Sequence, residues 1–255
     1  MIKHNNVYLI SFVILLITIA LDFLLGIHLS WYLLPILFLF FAIGYGSFNM
    51  SHNFFLKSIS NNNGISEKKI AITFDDGPNA EFTPIVLDIL KKHQAVATFF
   101  CIGKNIENHP ELLKRIRDEG HSIGNHSYSH NNRIDFNSTE KWLEEIEKTD
   151  RIIEDTIGLD CIFFRPPFGV TTPNLAKAIE KTRHTVIGWN IRTYDTVRQN
   201  PKPILKNIGK QLSPGSIILL HDKHPRIPII LEQLLELLRE QKYQTVSIKN
   251  LLDEA

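Results

Sequence analysis

Hydrophobic residues are distributed along this chain in two different ways. Residues 7–27 and 29–48 are almost continuously apolar, with a short Gly26-Ile27-His28 turn between them. Each stretch is near the ~20 residues that a helix needs to cross a bilayer, so the pattern predicts a two-helix membrane hairpin. Trp31, Tyr32 and Tyr45 fall near the ends of the second stretch, where interfacial aromatics belong. Pro35 falls in its first turns, where a helix tolerates it. The competing reading, a secretory leader followed by a buried helix, calls for a shorter apolar region and a small-residue cleavage site.

Residues 58–66, SISNNNGIS, are polar and read as a linker. Beyond them short apolar runs alternate with amphipathic stretches. Strands are predicted over 69–74, 95–102, 121–124, 161–165, 185–189, 216–221 and 243–248. Helices are predicted over 83–93, 110–119, 137–157, 173–182, 203–212 and 227–240. In the first of these, Ile85, Val86, Ile89 and Leu90 recur at helical spacing. Asn137 followed by Glu140 resembles a capping box, and Gly158 follows the helix it would open. Strand–helix alternation implies a parallel sheet, doubly wound or closed into a barrel. The organisation expected is a membrane anchor over 1–50, a linker over 51–67 and one globular body over 68–255.

Charge sharpens this division. Lys and Arg number 28 against 27 Asp and Glu, a net charge of +1. That balance excludes a nucleic-acid binder relying on bulk positive charge and an acidic disordered tail. Asp22 is the one formal charge between Val7 and Met50; its place near a helix end suits an interfacial carboxylate. Lys3 precedes the hairpin, Lys57, Lys68 and Lys69 follow it, and the connecting turn has no Lys or Arg. The positive-inside rule then puts both ends of a two-pass protein of the cell membrane in the cytoplasm. Cys101 and Cys161 are too few for a disulfide scaffold, and one bridge between them stays open.

Five polar clusters end predicted strands: Asp75-Asp76-Gly77, Asn125-His126, Arg165-Pro166-Pro167, residues 190–195 and His221-Asp222. In parallel α/β folds that edge is where active sites assemble. Two adjacent carboxylates ending a buried strand are costly without partners, and an Asp-Gly-Pro turn accounts for only one of them. Successive strand residues point opposite ways, so one carboxylate can bind a metal while its neighbour faces a substrate. His126 and His130 lie four apart, close enough on a helical turn to share a metal, though that spacing also arises by chance on surfaces. His121 fits a strand start and reads as structural. One aspartate and two histidines leave a metal an open position, as in catalytic sites; such a metal lowers the pKa of water from ~15.7 toward about 7. Arg165 suits a carboxylate partner, the bland alternative being an exposed Arg before a proline turn. His221, after the apolar run 217–220, reads equally as a packed core histidine or a general acid.

Together these motifs resemble the polysaccharide deacetylases of carbohydrate esterase family 4, the NodB-homology domain, over residues 68–252. The resemblance implies an α/β fold, a distorted (β/α) barrel of that type behind the hairpin. It also implies removal of N- or O-acetyl groups with one divalent metal, often zinc; cobalt, nickel and iron suit the same donors. Motif by motif, TFDDG makes Asp75 the catalytic base and Asp76 a metal ligand, and the HSxxH-type motif makes His126 and His130 the other ligands. RPPFG makes Arg165 the residue that orients Asp75, and the Phe168 backbone N–H an oxyanion donor. The LxH motif makes Leu219 a wall of the acetyl-methyl pocket and His221 the general acid. The fourth motif departs from the family's Asp-x-x-Asp-Trp: Arg192 and Thr196 stand for its first Asp and its Trp. Asp195 is retained as the acidic partner for His221, and Trp189 upstream is the aromatic wall that remains. The implied partners are an acetylated amino-sugar polymer or a lipid-linked glycan, with membrane lipid and without nucleic acid. Family habit places the body outside the cytoplasm, against the lysine flanks. A catalytically silent glycan-binding protein on the same fold is supported only by the altered fourth motif.

Overall fold

The computed structural model describes residues 3–198 and 200–253; the outermost residues of the anchor and of the body, 1–2 and 254–255, lie outside the described residues. Helices α1 (His4–Leu25) and α2 (Leu33–Ser47) form the expected hairpin. Gly26 ends α1 in the left-handed conformation, at φ 61°, and one 3-10 turn over Leu29–Tyr32 leads into α2. At 1.5 Å per residue α1 is about 33 Å long, enough to span a hydrocarbon core. Only Val7 and Thr18 of α1, and Pro35 and Gly46 of α2, are buried. A core helix of a soluble domain would hide a full stripe, so both helices are candidate membrane spans. Asp22 accepts a 3.0 Å hydrogen bond from the Tyr32 hydroxyl, which partners the carboxylate at the turn end of the hairpin.

The body is a curled parallel sheet wrapped by helices. Its strands are β1 (Ser58–Ile59), β2 (Lys69–Asp75), β3 (Ala97–Cys101), β4 (Ser122–Asn125), β5 (Phe163–Phe164), β6 (Thr185–Ile187), β7 (Ile191–Arg192), β8 (Ile217–His221) and β9 (Gln244–Thr245). The helices are α3 (Phe82–Lys92), α4 (Gly103–Asn108), α5 (Pro110–Asp118), α6 (Thr139–Ile157), α7 (Pro173–Thr182), α8 (Pro201–Gln211), α9 (Ile227–Glu240) and α10 (Ile248–Asp253). The order across the sheet is β1-β6-β5-β4-β3-β2-β8-β7, with β9 beside the start of β2. Strands β6 and β7 lie toward opposite edges, so Gly188-Trp189-Asn190 between them crosses the barrel mouth.

Alternation along the strands sorts the side chains into two sets. Ile70, Ile72 and Phe74 of β2, with Ile218 and Leu220 of β8, pack outward in the main core, against α3, α8 and α9. Ala71, Phe100 and Ile217 belong to a separate inner cluster. The same inward rows continue to Asp75 on β2 and His221 on β8, which lie in register. The hydrophobic period that builds the core therefore also aims two ionisable groups at the barrel mouth.

Several local expectations needed correction. Ser58–Ile59, inside the stretch read as a linker, pairs in parallel with β6, and Asn62 is buried with its side chain on the Leu251 carbonyl at 2.7 Å. Ser138, not Asn137, caps α6 by accepting the Lys141 N–H at 3.3 Å. Helix α8 begins two residues early, on Pro201, because Asn200 caps it. Residues 248–253, partly read as a strand, turn into α10, which packs its Ile248 and Leu251 under the inner cluster. Helix α4 and strand β7 are too short to leave a periodic trace. Both cysteines are free, so no bridge joins them.

Candidate active site

Every residue singled out in the sequence as a site candidate comes to the C-terminal rim of the barrel. A cavity of about 210 Å³ is lined by Asp75, Asp76, His126, His130, Phe168, Trp189, Leu219 and His221, together with Arg192, Tyr194 and Lys223. Arg165 and Asp195 are fully buried directly behind it. The bland readings of Arg165 as a solvent-exposed turn residue, and of His221 as a closed core histidine, do not hold.

Arg165 occupies the barrel interior. Its Nη1 donates to Asp75 Oδ1 and to Thr73 Oγ1, both at 2.7 Å. Its Nε and Nη2 donate to the carbonyls of Ile187 and Gly188 at 3.0 and 2.9 Å, and its plane lies over Phe100 at 4.0 Å. A buried guanidinium must have its donors satisfied. Here the end of β6 and the Gly188 that follows it supply carbonyl acceptors, Thr73 supplies a hydroxyl, and Asp75 supplies the counter-charge.

Asp76 follows in the left-handed conformation, at φ 77°, and turns away from the strand. Its Oδ1 lies 3.5 Å from His126 Nε2 and 3.2 Å from His130 Nε2, and the three ligand atoms are within 4.8 Å of one another. The donors are in a state fit for a divalent cation. His126 Nδ1 donates to the Arg165 carbonyl at 2.7 Å, which leaves its Nε2 lone pair toward Asp76. Burial lowers the His130 pKa to about 4, so that imidazole is neutral. Burial works against ionisation of Asp76, but the imidazoles beside it and the Lys223 ammonium outweigh it and hold the carboxyl well below the usual range. Lys223 Nζ meets the other oxygen, Oδ2, at 2.6 Å.

The altered fourth motif keeps its acid in place. Asp195 Oδ1 accepts from Thr193 Oγ1 at 2.8 Å and from His221 Nδ1 at 3.0 Å; Oδ2 accepts from the His221 backbone N–H and from His224 Nε2, each at 2.9 Å. Burial alone would lower the His221 pKa; the Asp195 bond, with the charges of Asp195, Asp75 and Asp76, raises it above the ordinary value. Arg192, in place of the family's acid, lines the cavity with its guanidinium near Trp189 and Tyr194, at 5.7 and 5.0 Å from the ring centres.

Some contributors were not legible in the sequence. His224 shares Asp195 with His221. Glu145 of α6 accepts from the N–H groups of Tyr128 and Ser129 and from Ser129 Oγ, at 2.9, 2.7 and 2.7 Å, and so shapes the loop carrying both histidines. Asp222, which the sequence placed in the His221-Asp222 cluster without a role, is buried with its pKa raised to about 7 by desolvation, is bonded to Thr83, and sits where a Cβ on Gly77 would fall. Gly77 is thus required by side-chain crowding under the Asp76 turn. Asp76, His130, Phe168 and Tyr194 all line the cavity at positive φ, which concentrates backbone strain there. His121 is structural as expected: its Nδ1 accepts the Ala97 N–H at 3.3 Å. Asp150, Cys161 and His184 also converge. Asp150 Oδ1 is already engaged by Asn125 at 2.8 Å and His184 at 3.2 Å, and burial pushes the Cys161 thiol up.

A curled parallel barrel brings an Asp-His-His ligand set, an Arg-held aspartate and an Asp-held histidine to one rim, the arrangement that the family motifs imply, and the comparisons give the same family. The family model described as polysaccharide deacetylase matches residues 62–187. A peptidoglycan-N-acetylglucosamine deacetylase of Bacillus cereus is 40% identical over 156 residues, covering 61% of this chain and 56% of the relative; the chain spans little more than half of that relative's length. The crystal structure of the Bc1960 peptidoglycan N-acetylglucosamine deacetylase superposes with a TM-score of 0.71 at 33% identity, over 76% of this chain and 91% of that one. A carbohydrate esterase family 4 pseudoenzyme from Bacillus anthracis superposes with a TM-score of 0.68 at 31% identity, over 74% of this chain and 66% of that one. The chain belongs to the polysaccharide deacetylase family, carbohydrate esterase family 4.

Proposed function

We propose that this protein is a membrane-anchored, divalent-metal-dependent deacetylase that hydrolyses the N-acetyl amide, or another small acyl amide, of an amino-sugar glycan. The names of its relatives point to peptidoglycan as the polymer. The observation that carries the reading is the convergence on one small cavity of an Arg-held carboxylate, three ligand atoms and an Asp-held imidazole. That set speaks against the catalytically silent reading, whose one support is Arg192 and Thr196 in the fourth motif.

Asp76, His126 and His130 would hold the metal, which supplies a Lewis acid and makes water a nucleophile near neutral pH. Zinc suits two imidazoles and a carboxylate, and cobalt, nickel and iron are accepted by the same donors. Asp75, held by Arg165, takes a proton from the attacking water as its oxygen bonds to the acyl carbon. The Phe168 backbone N–H donates to the developing oxyanion. His221, its Nδ1–H on Asp195, gives a proton from Nε2 to the sugar nitrogen as the C–N bond breaks, which yields the free amine and acetate. Leu219 and Trp189 wall the acyl methyl. The test is acetate release from an N-acetylglucosamine oligomer, lost on chelation and restored by zinc. Release that persists after complete metal removal would refute metal dependence.

A second reading keeps the chemistry and exchanges the polymer for a lipid-linked amino sugar. It is favoured by one contact: Thr171 N–H donates at 2.9 Å to the carbonyl of Ser47, the last residue of α2. Thr171 is two residues from Gly169 in the cavity wall, so the rim loop is tied to the foot of the hairpin. A reporter fused to the C-terminus, active only in the cytoplasm, separates the two. Signal supports the lipid-linked acceptor and the lysine flanks; silence, with an externally accessible tag, supports the envelope polymer.

A further inference from the structure

A second and larger cavity, of about 700 Å³, opens on the outside of the barrel between the edge strand β1 and helix α7, with His4 at its border. Lys57, Lys177 and Arg183 contribute cations to it, and Glu180 is the one acid in its lining. Lys57, Lys177 and Arg183 are exposed and make no ion pair among the described residues. The floor is apolar, from Leu56, Ile179 and Val186.

Its location ties it to the hairpin. His4 opens α1 and Lys57 follows α2, so the basin lies at the end of the hairpin from which the body emerges. A ring cluster forms one wall: His4 lies 5.4 Å from Phe55 and 6.2 Å from Phe54, centre to centre. On the far side of these rings lies a cavity of about 300 Å³ between α1 and α2, lined by Val7, Ile10, Phe38, Ala42 and Phe54 among others. A cationic basin beside an inter-helix apolar groove has the two halves of an amphiphile's complement, at the depth where headgroups lie.

We propose that the basin binds the phosphate headgroup of an anionic membrane phospholipid, with an acyl chain entering the groove between α1 and α2. The inference rests on the hairpin spanning the membrane. Binding there fixes α7, whose N-terminal side continues from the rim loop of the active site, and so sets how the cavity faces the bilayer. A soluble phosphate shares the headgroup chemistry and lacks the chain.

The full chain is purified in a mild non-ionic detergent and offered phosphatidylglycerol, phosphatidylcholine or inorganic phosphate, and adducts are counted by native mass spectrometry. The expected result is a phosphatidylglycerol adduct that phosphatidylcholine does not match and inorganic phosphate does not displace. The Lys57→Glu/Lys177→Glu variant is expected to weaken it by about tenfold or more, while Lys206→Glu/Lys210→Glu on α8 leaves it unchanged. Circular dichroism and thermal midpoint check both variants for folding; should the first unfold, Lys177→Gln takes its place. Equal phosphatidylglycerol binding by wild type and the basin variant would overturn the proposal, as would equal affinity for the two lipids or displacement by inorganic phosphate. Alkaline carbonate washing of membranes keeps the two ideas apart. Release of the chain refutes the membrane-spanning hairpin, whereas a retained chain without the adduct refutes only the basin.

Discussion

Asp75 and Asp76 are sequence neighbours with opposite surroundings. The first sits on a strand under a buried guanidinium, and the second sits on a turn against two imidazoles. Different losses are expected on mutation. Asp75→Asn should lower acetate release by about 10²–10⁴-fold with metal content unchanged by elemental analysis, whereas Asp76→Ala should lose the metal itself. Equal turnover in wild type and Asp75→Asn would take the base's role from it. Asp195 acts on His221 in a way a pH profile reads. Because Asp195 raises the His221 pKa, the imidazole stays protonated to higher pH than an ordinary histidine. In Asp195→Asn the alkaline limb of kcat/KM should therefore move to lower pH; an unmoved limb would show that His221 is not the acid. These residues were legible because their motifs place charged side chains after apolar runs, where burial makes an unpartnered charge costly. Their pairings were not, since Arg165 and Asp75, or Asp195 and His221, are joined only when strands far apart in sequence align.

At the scale of elements, the loop bearing His126 and His130 has no regular structure of its own, and α6 holds it through Glu145. Glu145→Gln should weaken metal affinity by about 10–100-fold, measured by competition with a chelator, while Asp75 and His221 keep their places. Helix α6 itself depends on its cap. Ser138→Ala should cost about 1 kcal/mol in urea unfolding, and Asn137→Ala should cost much less, because the Ser138 oxygen takes the Lys141 N–H. Asn137 and Ser138 both belong to the preferred capping residues, so composition alone could not choose between them. The tertiary contact of Asn174, whose side chain donates to the Asn137 carbonyl at 3.0 Å, helps to hold Asn137 outside the helix. Helices α7 and α9 have the bounds their sequence pattern predicts, as each starts beside a proline and carries an uninterrupted apolar stripe.

At the scale of the whole molecule, hairpin and body are packed together. Phe54 and Phe55 are buried against Ala176 of α7 and against α2, and a Cβ on Gly46 would lie 2.3 Å from the Phe54 ring. The stretch between them completes the barrel edge through β1 and the Asn62 contact. A chain begun at Lys68 should therefore unfold at a lower temperature than one begun at Asn53, as read by differential scanning calorimetry. Identical midpoints would return residues 58–66 to the status of a passive linker. The polar, Asn-rich composition of that segment concealed its role, because its buried groups are satisfied by backbone carbonyls that only the folded body supplies.

Local patterns were enough for the hairpin, the alternation of strands and helices, and the ionisable residues of the rim. Each of these depends on period, length or adjacency, which a linear chain displays directly. What needed the third dimension was contact across the barrel: Arg165 beneath Asp75, Asp195 behind His221, Glu145 under the histidine loop, and the foot of α2 hydrogen-bonded beside the rim. Those contacts join residues from separate strands and helices, and sheet order and curl decide which of them meet.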